Sequence, residues 1–283
     1  MKHKTLGDWC KWLEKNFSPD IMIPTLPVII RLDGNGFSKW TKGLKRPFDE
    51  NFMDLMDDTA KFLVEETNAV ISFTQSDEIT LILYSDNKRS SIYNDGKKQK
   101  ILSKLTGKCV NYFNERRKHY LPDHNKLANF DCRIYQTPTL HDACVQLLWR
   151  ENDATKNSIQ SLSQSLFSHK ELQNLNGNEL QNKMLTEKGV NWNNLSNRCK
   201  RGSYIRKQRV SIPFTKEELA KLPKKHDAHK NPEMVVERNV VSVYPMPIFQ
   251  RIQNQVDVVF NGTAPIAAAS DLFDSTLRSL RTL

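Results

Sequence analysis

Pro27-Val-Ile-Ile-Arg-Leu-Asp-Gly-Asn-Gly36 is a short, β-branched apolar run that stops at a turn-forming tetrapeptide. It predicts a buried strand over Pro27–Leu32 followed by a turn at Asp33–Gly36. Working outward, Phe52, Met53, Met56, Ala60, Leu63 and Val64 recur at helical spacing, so residues 50–67 form an amphipathic helix. Two strand-like runs follow, Ala69 to Thr74 and Ile79 to Tyr84, joined by the polar hairpin Gln75-Ser-Asp-Glu78. A second helix over 97–118 places Ile101, Leu102, Leu105, Cys109, Tyr112 and Phe113 on one face and Lys97, Lys100, Lys104 and Lys108 on another. Asp131 to Gln136 reads as a fourth strand. The sum is β-α-β-β-α-β, a ferredoxin-like split βαβ arrangement of the α+β class.

The second half is less regular. Helical patterns run through 141–168 and 178–189, Asn191 to Asn197 is a loop, and Ser203 to Ile212 is a basic, strand-like run. Prolines break up the remainder, 222–233 reads as an exposed linker, and about 267–283 has a helical pattern. The whole chain of 283 residues has ample length for a core. No apolar run reaches the ~20 residues of a membrane span, and the first residues lack an apolar signal core, so a soluble, cytoplasmic protein is expected. The five cysteines form no CxxC pair and are expected as reduced thiols. His226 and His229 lack the companions of a zinc site.

The topology has a chemical consequence. In this fold the first and third strands are neighbours at the sheet centre, so the end of one lies beside the start of the other. Asp33 is at the first place, Asp77 and Glu78 at the second. Taken singly, an Asp-Gly turn and an acidic hairpin tip are ordinary turn chemistry. Brought together, the carboxylates repel, and a divalent cation relieves the repulsion. Mg²⁺ accepts one or two carboxylates and completes its shell with water and substrate phosphates. Gly34 lets the backbone carbonyl approach as a further ligand.

Lys and Arg total 42 against 32 acids, a net charge of +10, which favours a polyanionic partner. Ten basic residues and two acids lie between Lys88 and Lys118, and six basic residues and no acid between Arg198 and Arg209. Either run can be a solvated face. The alternatives are phosphate binding by Lys97 and Lys100 at a helix start beside the metal site, and backbone tracking of a nucleic acid by the second run. No P-loop, GxGxxG or nucleophile elbow is present, so NTPase, dinucleotide and hydrolase readings have no support.

Arg31-Leu-Asp-Gly-Asn-Gly-Phe37, Lys45-Arg-Pro-Phe-Asp-Glu50 and Gln75-Ser-Asp-Glu78 resemble the tRNA-His guanylyltransferase family, and more closely its bacterial-type 3′–5′ polymerases. Asp95-Gly-Lys-Lys-Gln-Lys100, Phe130-Asp-Cys-Arg133, Trp149-Arg150, Asp153–Ile159, Phe167–Leu172, Lys188–Asn193 and Lys200–Ser203 extend the similarity over about residues 5–265. The resemblance implies a polymerase-palm core with two Mg²⁺ ions. Asp33 and Asp77 would bridge them, with the Gly34 carbonyl as a ligand and Glu78 close by. One ion would acidify the attacking 3′-hydroxyl and the other hold the triphosphate. It further implies activation of a tRNA 5′-monophosphate by ATP, then attack of the 3′-hydroxyl of GTP with release of AMP. Nucleotide contacts are carried over to Gly34, Asn35, Gly36, Phe37, Arg46, Asp49, Ser76, Lys97 and Lys100, and RNA contacts to Arg150, Lys156, Asn157, Lys200 and Arg201. Homo-oligomers, tetramers by family habit, are expected.

The division implied is a palm-like catalytic domain over 1–138, a region of RNA and nucleotide contacts over 139–266, and a terminal helical segment over 267–283. One departure stands out. Where eukaryotic members carry a histidine after Trp-Arg, this chain has Thr155, as bacterial-type members do. Template-dependent repair of 5′-truncated tRNA therefore stands beside guanosine addition to tRNA-His. Two other readings are a palm-fold nucleotide cyclase and a non-catalytic RNA-binding module. The long basic stretches argue against the first and the intact acid set against the second.

Overall fold

A computed structural model describes residues 21–87, 91–231 and 233–267. Strands β1 (Val28–Gly34), β2 (Ile71–Gln75), β3 (Glu78–Leu83), β4 (Phe130–Gln136), β5 (Ser203–Pro213) and β6 (Val235–Tyr244) form one sheet in the order β4-β1-β3-β2-β5-β6. Every recorded pairing is antiparallel. The first four strands alternate with two helices, α1 (Glu50–Thr67) between β1 and β2 and α2 (Lys98–Tyr120) between β3 and β4.

The period of two in β1 sorts its residues. Val28, Ile30 and Leu32 join the core built with α1 and α2, where Leu55, Leu63, Leu105 and Phe113 are fully buried. Ile29 joins a second core on the opposite face, beneath α3 (Leu140–Leu166), with Phe73, Ile82, Leu147, Tyr204 and Phe249. Arg31 and Asp33 share the face of Ile29 by the same alternation. In α2, buried Ile101, Leu105, Cys109, Phe113 and Arg117 are spaced by four, which keeps one stripe on the sheet.

The outer half of α3 forms a third, smaller cluster with α4 (Gly177–Lys188). Trp192 closes it, its Nε1 donating to Ser158 Oγ at 3.0 Å. A one-turn helix, α5 (Asn197–Arg201), leads into β5. Only Ser203–Ile205 of β5 pair with β2; the rest pairs with β6 alone, as a two-stranded ribbon. One sheet thus runs through both halves of the chain.

The strand and helix order expected over 27–136 is present, with shifts of a residue or two. Asp33 and Gly34 are the last residues of β1 rather than turn residues. The hairpin tip is the pair Ser76-Asp77, with Ser76 at φ 54. The stretch expected as an exposed linker over 222–233 carries a helical turn at Asp227–His229, whose Ala228 is buried. The helical pattern expected over about 267–283 lies, beyond residue 267, outside the described residues. No described helix is long and apolar enough to cross a membrane.

Candidate functional site

Asp33 sits opposite Glu78 of β3 on one side and Asp131 of β4 on the other. Paired residues share a face, so three carboxyl groups form a row across the sheet, on the α3 side. Asp77 is at the tip of the β2–β3 hairpin, and the Gly34 N–H donates to the Asp77 carbonyl at 3.1 Å, which ties the end of β1 to that tip. A side chain at Gly34 would collide with the Phe37 ring, so only glycine permits this path.

The acids face a cavity of about 200 Å³ lined by Asp33, Asp77 and Glu78 and, from α3, by Arg150, Asp153 and Asn157. Gln75 and Ser76 also line a larger cavity of about 420 Å³. Its other walls include Lys45, Arg46, Asp49, Asp57 and Arg198. The two spaces therefore share the hairpin tip as a common wall.

Burial, reinforced by the Asp33 charge, raises the Asp77 carboxyl above its ordinary range, against the Ser76 hydroxyl, which donates to Asp77 Oδ1 at 2.9 Å. Burial raises Glu78 as well, and Asp33 adds to it, while Arg150 and Arg31 pull it back. Arg150 Nη1 donates to Glu78 Oε2 at 2.9 Å. Glu78 is thus neutralised by protein, whereas no cation is recorded against Asp33 or Asp77 among the described residues. Among those residues no group of three or more His, Cys, Asp or Glu could hold a metal ion. Two carboxylates and an open cavity fit a hard cation that takes its remaining oxygens from water and substrate, not an all-protein cage.

Several expected residues stand elsewhere. Lys97 and Lys100 are exposed and line neither cavity. The reason is topological. Strand β3 ends at Leu83, opposite Val28, so the chain leaves the sheet toward α2 at the end of the strands remote from Asp33. Lys97 bridges Ile21 there. The expectation that this helix start lies beside the acids is corrected. Phe37 is a core residue, packed among Trp40, Phe52, Phe113 and Phe130. Asp49 caps α1, accepting from the N–H of Phe52 and of Lys45. The Asn35 N–H is taken by the Asn129 carbonyl, and Gly36, at φ 68, opens the helical turn Phe37–Trp40. Arg46 and Ser76 line the larger cavity.

Of the expected RNA contacts, Asn157 lines the acid cavity, Lys156 lies in α3 outside both cavities, and Arg150 is buried against Glu78 instead of facing solvent. Lys200 donates to the Asn193 carbonyl at 2.8 Å, and Arg201 lies 5.5 Å from the Trp192 ring centre. The run 198–209 is not a continuous cationic track. Arg198 is held by Asp54 at 2.7 Å and Asp57 at 3.0 Å, and Arg206 donates to the Val258 carbonyl. The sequence reading passed over Arg31, Asp131 and Asp153. Arg31 lies two residues before Asp33 on the same face, and Asp153 one turn after Arg150, so periodicity alone could have found both.

Residues 10–138 match the family model described as tRNAHis guanylyltransferase. Among solved structures, a bacterial tRNA(His) guanylyltransferase-like protein in complex with ATP is similar with a TM-score of 0.73 and 31% identity, over 90% of this chain and 99% of that one. A bacterial guanylyltransferase-like protein in complex with GTP matches with a TM-score of 0.65 and 29% identity, over 86% and 93%. The tRNA(His) guanylyltransferase of Saccharomyces cerevisiae is 26% identical over 204 residues, 66% of this chain and 84% of that protein.

Proposed function

The chain belongs to the tRNA-His guanylyltransferase family of nucleotidyltransferases, and we propose that it adds nucleotides to tRNA 5′ ends in the 3′–5′ direction, with Asp33 and Asp77 as the metal-holding acids. The observation that carries this is the shared wall. The cavity faced by Asp33 and Asp77 and the larger cavity beside it meet at Gln75 and Ser76. A triphosphate at the acids thus leaves room for its nucleoside next door. Ser76 in that wall, and Arg46 and Asp49 in the larger cavity, are the nucleotide contacts.

Asp33 and Asp77, with the Gly34 carbonyl, would hold Mg²⁺. When bound, Mg²⁺ polarises phosphoryl oxygens and makes a 3′-hydroxyl a better nucleophile. The chain's own residues supply the rest. Asp33 and Asp77 concentrate negative charge at one point of the cavity. Arg150 and Arg31 cancel Glu78, so that this third acid is a positioning residue for the cavity wall. In the first step a tRNA 5′-monophosphate attacks the α-phosphorus of ATP, forming a 5′-adenylylated end and releasing pyrophosphate. In the second the 3′-hydroxyl of GTP attacks the tRNA 5′-phosphorus, and AMP leaves.

The strand order β4-β1-β3-β2, all antiparallel and with both helices on one face, supports a ferredoxin-like, polymerase-palm reading of residues 1–138. Residues 139–266 then serve RNA and nucleotide contacts, with Asn157 facing the acids. A cytoplasmic homo-oligomer belongs to this reading, and light scattering tests its mass.

Thr155 favours 5′-end repair over strict guanosine addition. Its hydroxyl donates to the Glu151 carbonyl at 2.9 Å and so is used within α3. The test is nucleotide addition with Mg²⁺, ATP and labelled GTP to intact tRNA-His and to a tRNA lacking its first nucleotide. Template-matched extension of the truncated tRNA is expected. Addition to neither, with GTP consumed, would point to the cyclase chemistry instead.

A further inference from the structure

We propose that Trp149 is a stacking platform for an unpaired nucleobase at the end of the RNA substrate, beside the acid cavity. This deepens the reading above and rests on it. Trp149 is 50% exposed, although it lies on α3 between buried Leu147 and buried Arg150. A large apolar ring left half in water is informative when something fixes it and something nearby calls for a ligand. Both conditions hold.

The ring is fixed by a relay. Arg150 places its guanidinium carbon 3.4 Å from the indole ring centre. Arg150 is itself held by Glu78 at 2.9 Å, and Glu78 is in register with Asp33. One face of the indole is therefore covered by a cation whose position is set by the acid row. Such a ring loses little freedom when a base stacks on it.

Charge lies beside the ring as well. Arg31 and Arg150 are turned onto Glu78 with their Nε atoms buried. Arg31 Nε stands 3.9 Å from Glu78, beyond hydrogen-bonding reach, and its guanidinium carbon is 5.6 Å from the Trp149 ring centre. In register with Arg31 is Arg133, with 57% of its side chain exposed. Arg133, 3.8 Å from Asp131 and open to solvent, is the cation an incoming phosphate can reach, so the indole offers a flat face for the base and Arg133 a charge for its phosphate. Position agrees, because Arg150, adjacent to Trp149 in α3, and Asp153, one turn on, both line the cavity of Asp33 and Asp77.

A base is favoured over a protein side chain by the net charge of +10 and by this proximity to the acids. Stacking is tolerant of base identity, which suits an end whose sequence varies.

The test uses the full chain and a short RNA hairpin carrying 2-aminopurine as its unpaired 5′-terminal nucleotide. Fluorescence and Kd are measured for wild type, Trp149→Phe and Trp149→Ala, with the Kd for GTP, the Tm and the mass in solution as controls. The wild type is expected to quench the probe. Trp149→Ala should lose most of the quench and bind about tenfold more weakly, whereas Trp149→Phe, which keeps a ring, should stay within about threefold. The Kd for GTP should not move, and the Tm should fall by no more than a few degrees as the Arg150 contact is lost. Wild-type quench and affinity in Trp149→Ala, while the wild type still adds nucleotides, would overturn the platform alone. A loss of binding that tracks a fall in mass would also overturn it, making the ring a contact between subunits. A wild type that binds no RNA would overturn the platform together with the proposed function.

Discussion

At Asp77, burial and the Asp33 carboxylate together hold the acid above its ordinary range. A raised native value means that the folded state binds the proton more tightly than the unfolded one. Its contribution to stability is therefore greatest at low pH and declines as pH rises from about 4 through the raised native value. Asp77→Asn removes that cost. In the absence of metal it should stabilise the protein more at pH 8 than at pH 5, seen in urea unfolding at both pH values. Arg150 poses the opposite case. Arg150→Ala leaves the partly buried Glu78 with only the more distant Arg31 against its charge and should cost about 2 kcal/mol. Adding Glu78→Gln should recover a good part of it, and a double-mutant cycle measures the coupling. Neither effect could be read from the sequence. Asp33, Asp77 and Glu78 were visible as an acid set, but the cation that neutralises one of them comes from α3, seventy-two residues away from Glu78.

Among the elements, β1 was the most legible. Its apolar run named the strand, although the strand runs on through Asp33 and Gly34, which puts Arg31 and Asp33 on the face opposite Leu32. The two long helices followed from their apolar stripes. What failed was direction. Lys97 and Lys100 were read as phosphate contacts near the acids, but a helix that follows β3 starts at the far end of the strands. A stripe says which face is buried, not which end is near the site. Phe37 differs in another way. It belongs to a motif beside the site, yet it fills the core, whereas Asp49 both caps α1 and lines the larger cavity. Two glycines make the element-scale prediction. Gly34→Ala drives a methyl group into the Phe37 ring and should destabilise by about 2 kcal/mol. Gly107→Ala, inside α2 with open space around its Cβ, should stabilise by about 1 kcal/mol. Denaturant midpoints at constant m-value separate the two.

Across the whole molecule, one sheet carries the acids near its centre and ends in the β5–β6 ribbon, and the surface carries a net charge of +10. The excess of basic residues was legible from composition, but its distribution was not. Arg198 and Arg238 are spent on the chain's own carboxylates, the buried Asp57 and the surface Glu218 among them. Lys207, by contrast, is exposed on the ribbon and donates to Asn68 Oδ1 at 2.6 Å. Affinity for tRNA should therefore be electrostatic but not extreme, weakening by at least about tenfold between 50 and 200 mM KCl, with log Kd linear in log salt. A salt-independent Kd would mean that the RNA is held without its phosphates.

The most direct measurement is single-turnover nucleotide addition to a 5′-truncated tRNA by the wild type, Asp33→Asn and Asp77→Asn in Mg²⁺, with tRNA affinity measured alongside. The wild type should extend the RNA. Each variant should slow the transfer by at least about a hundredfold while its tRNA Kd stays within a few fold. Wild-type transfer by either variant would show that the paired carboxylates at the ends of β1 and the hairpin are turn residues and not the catalytic acids.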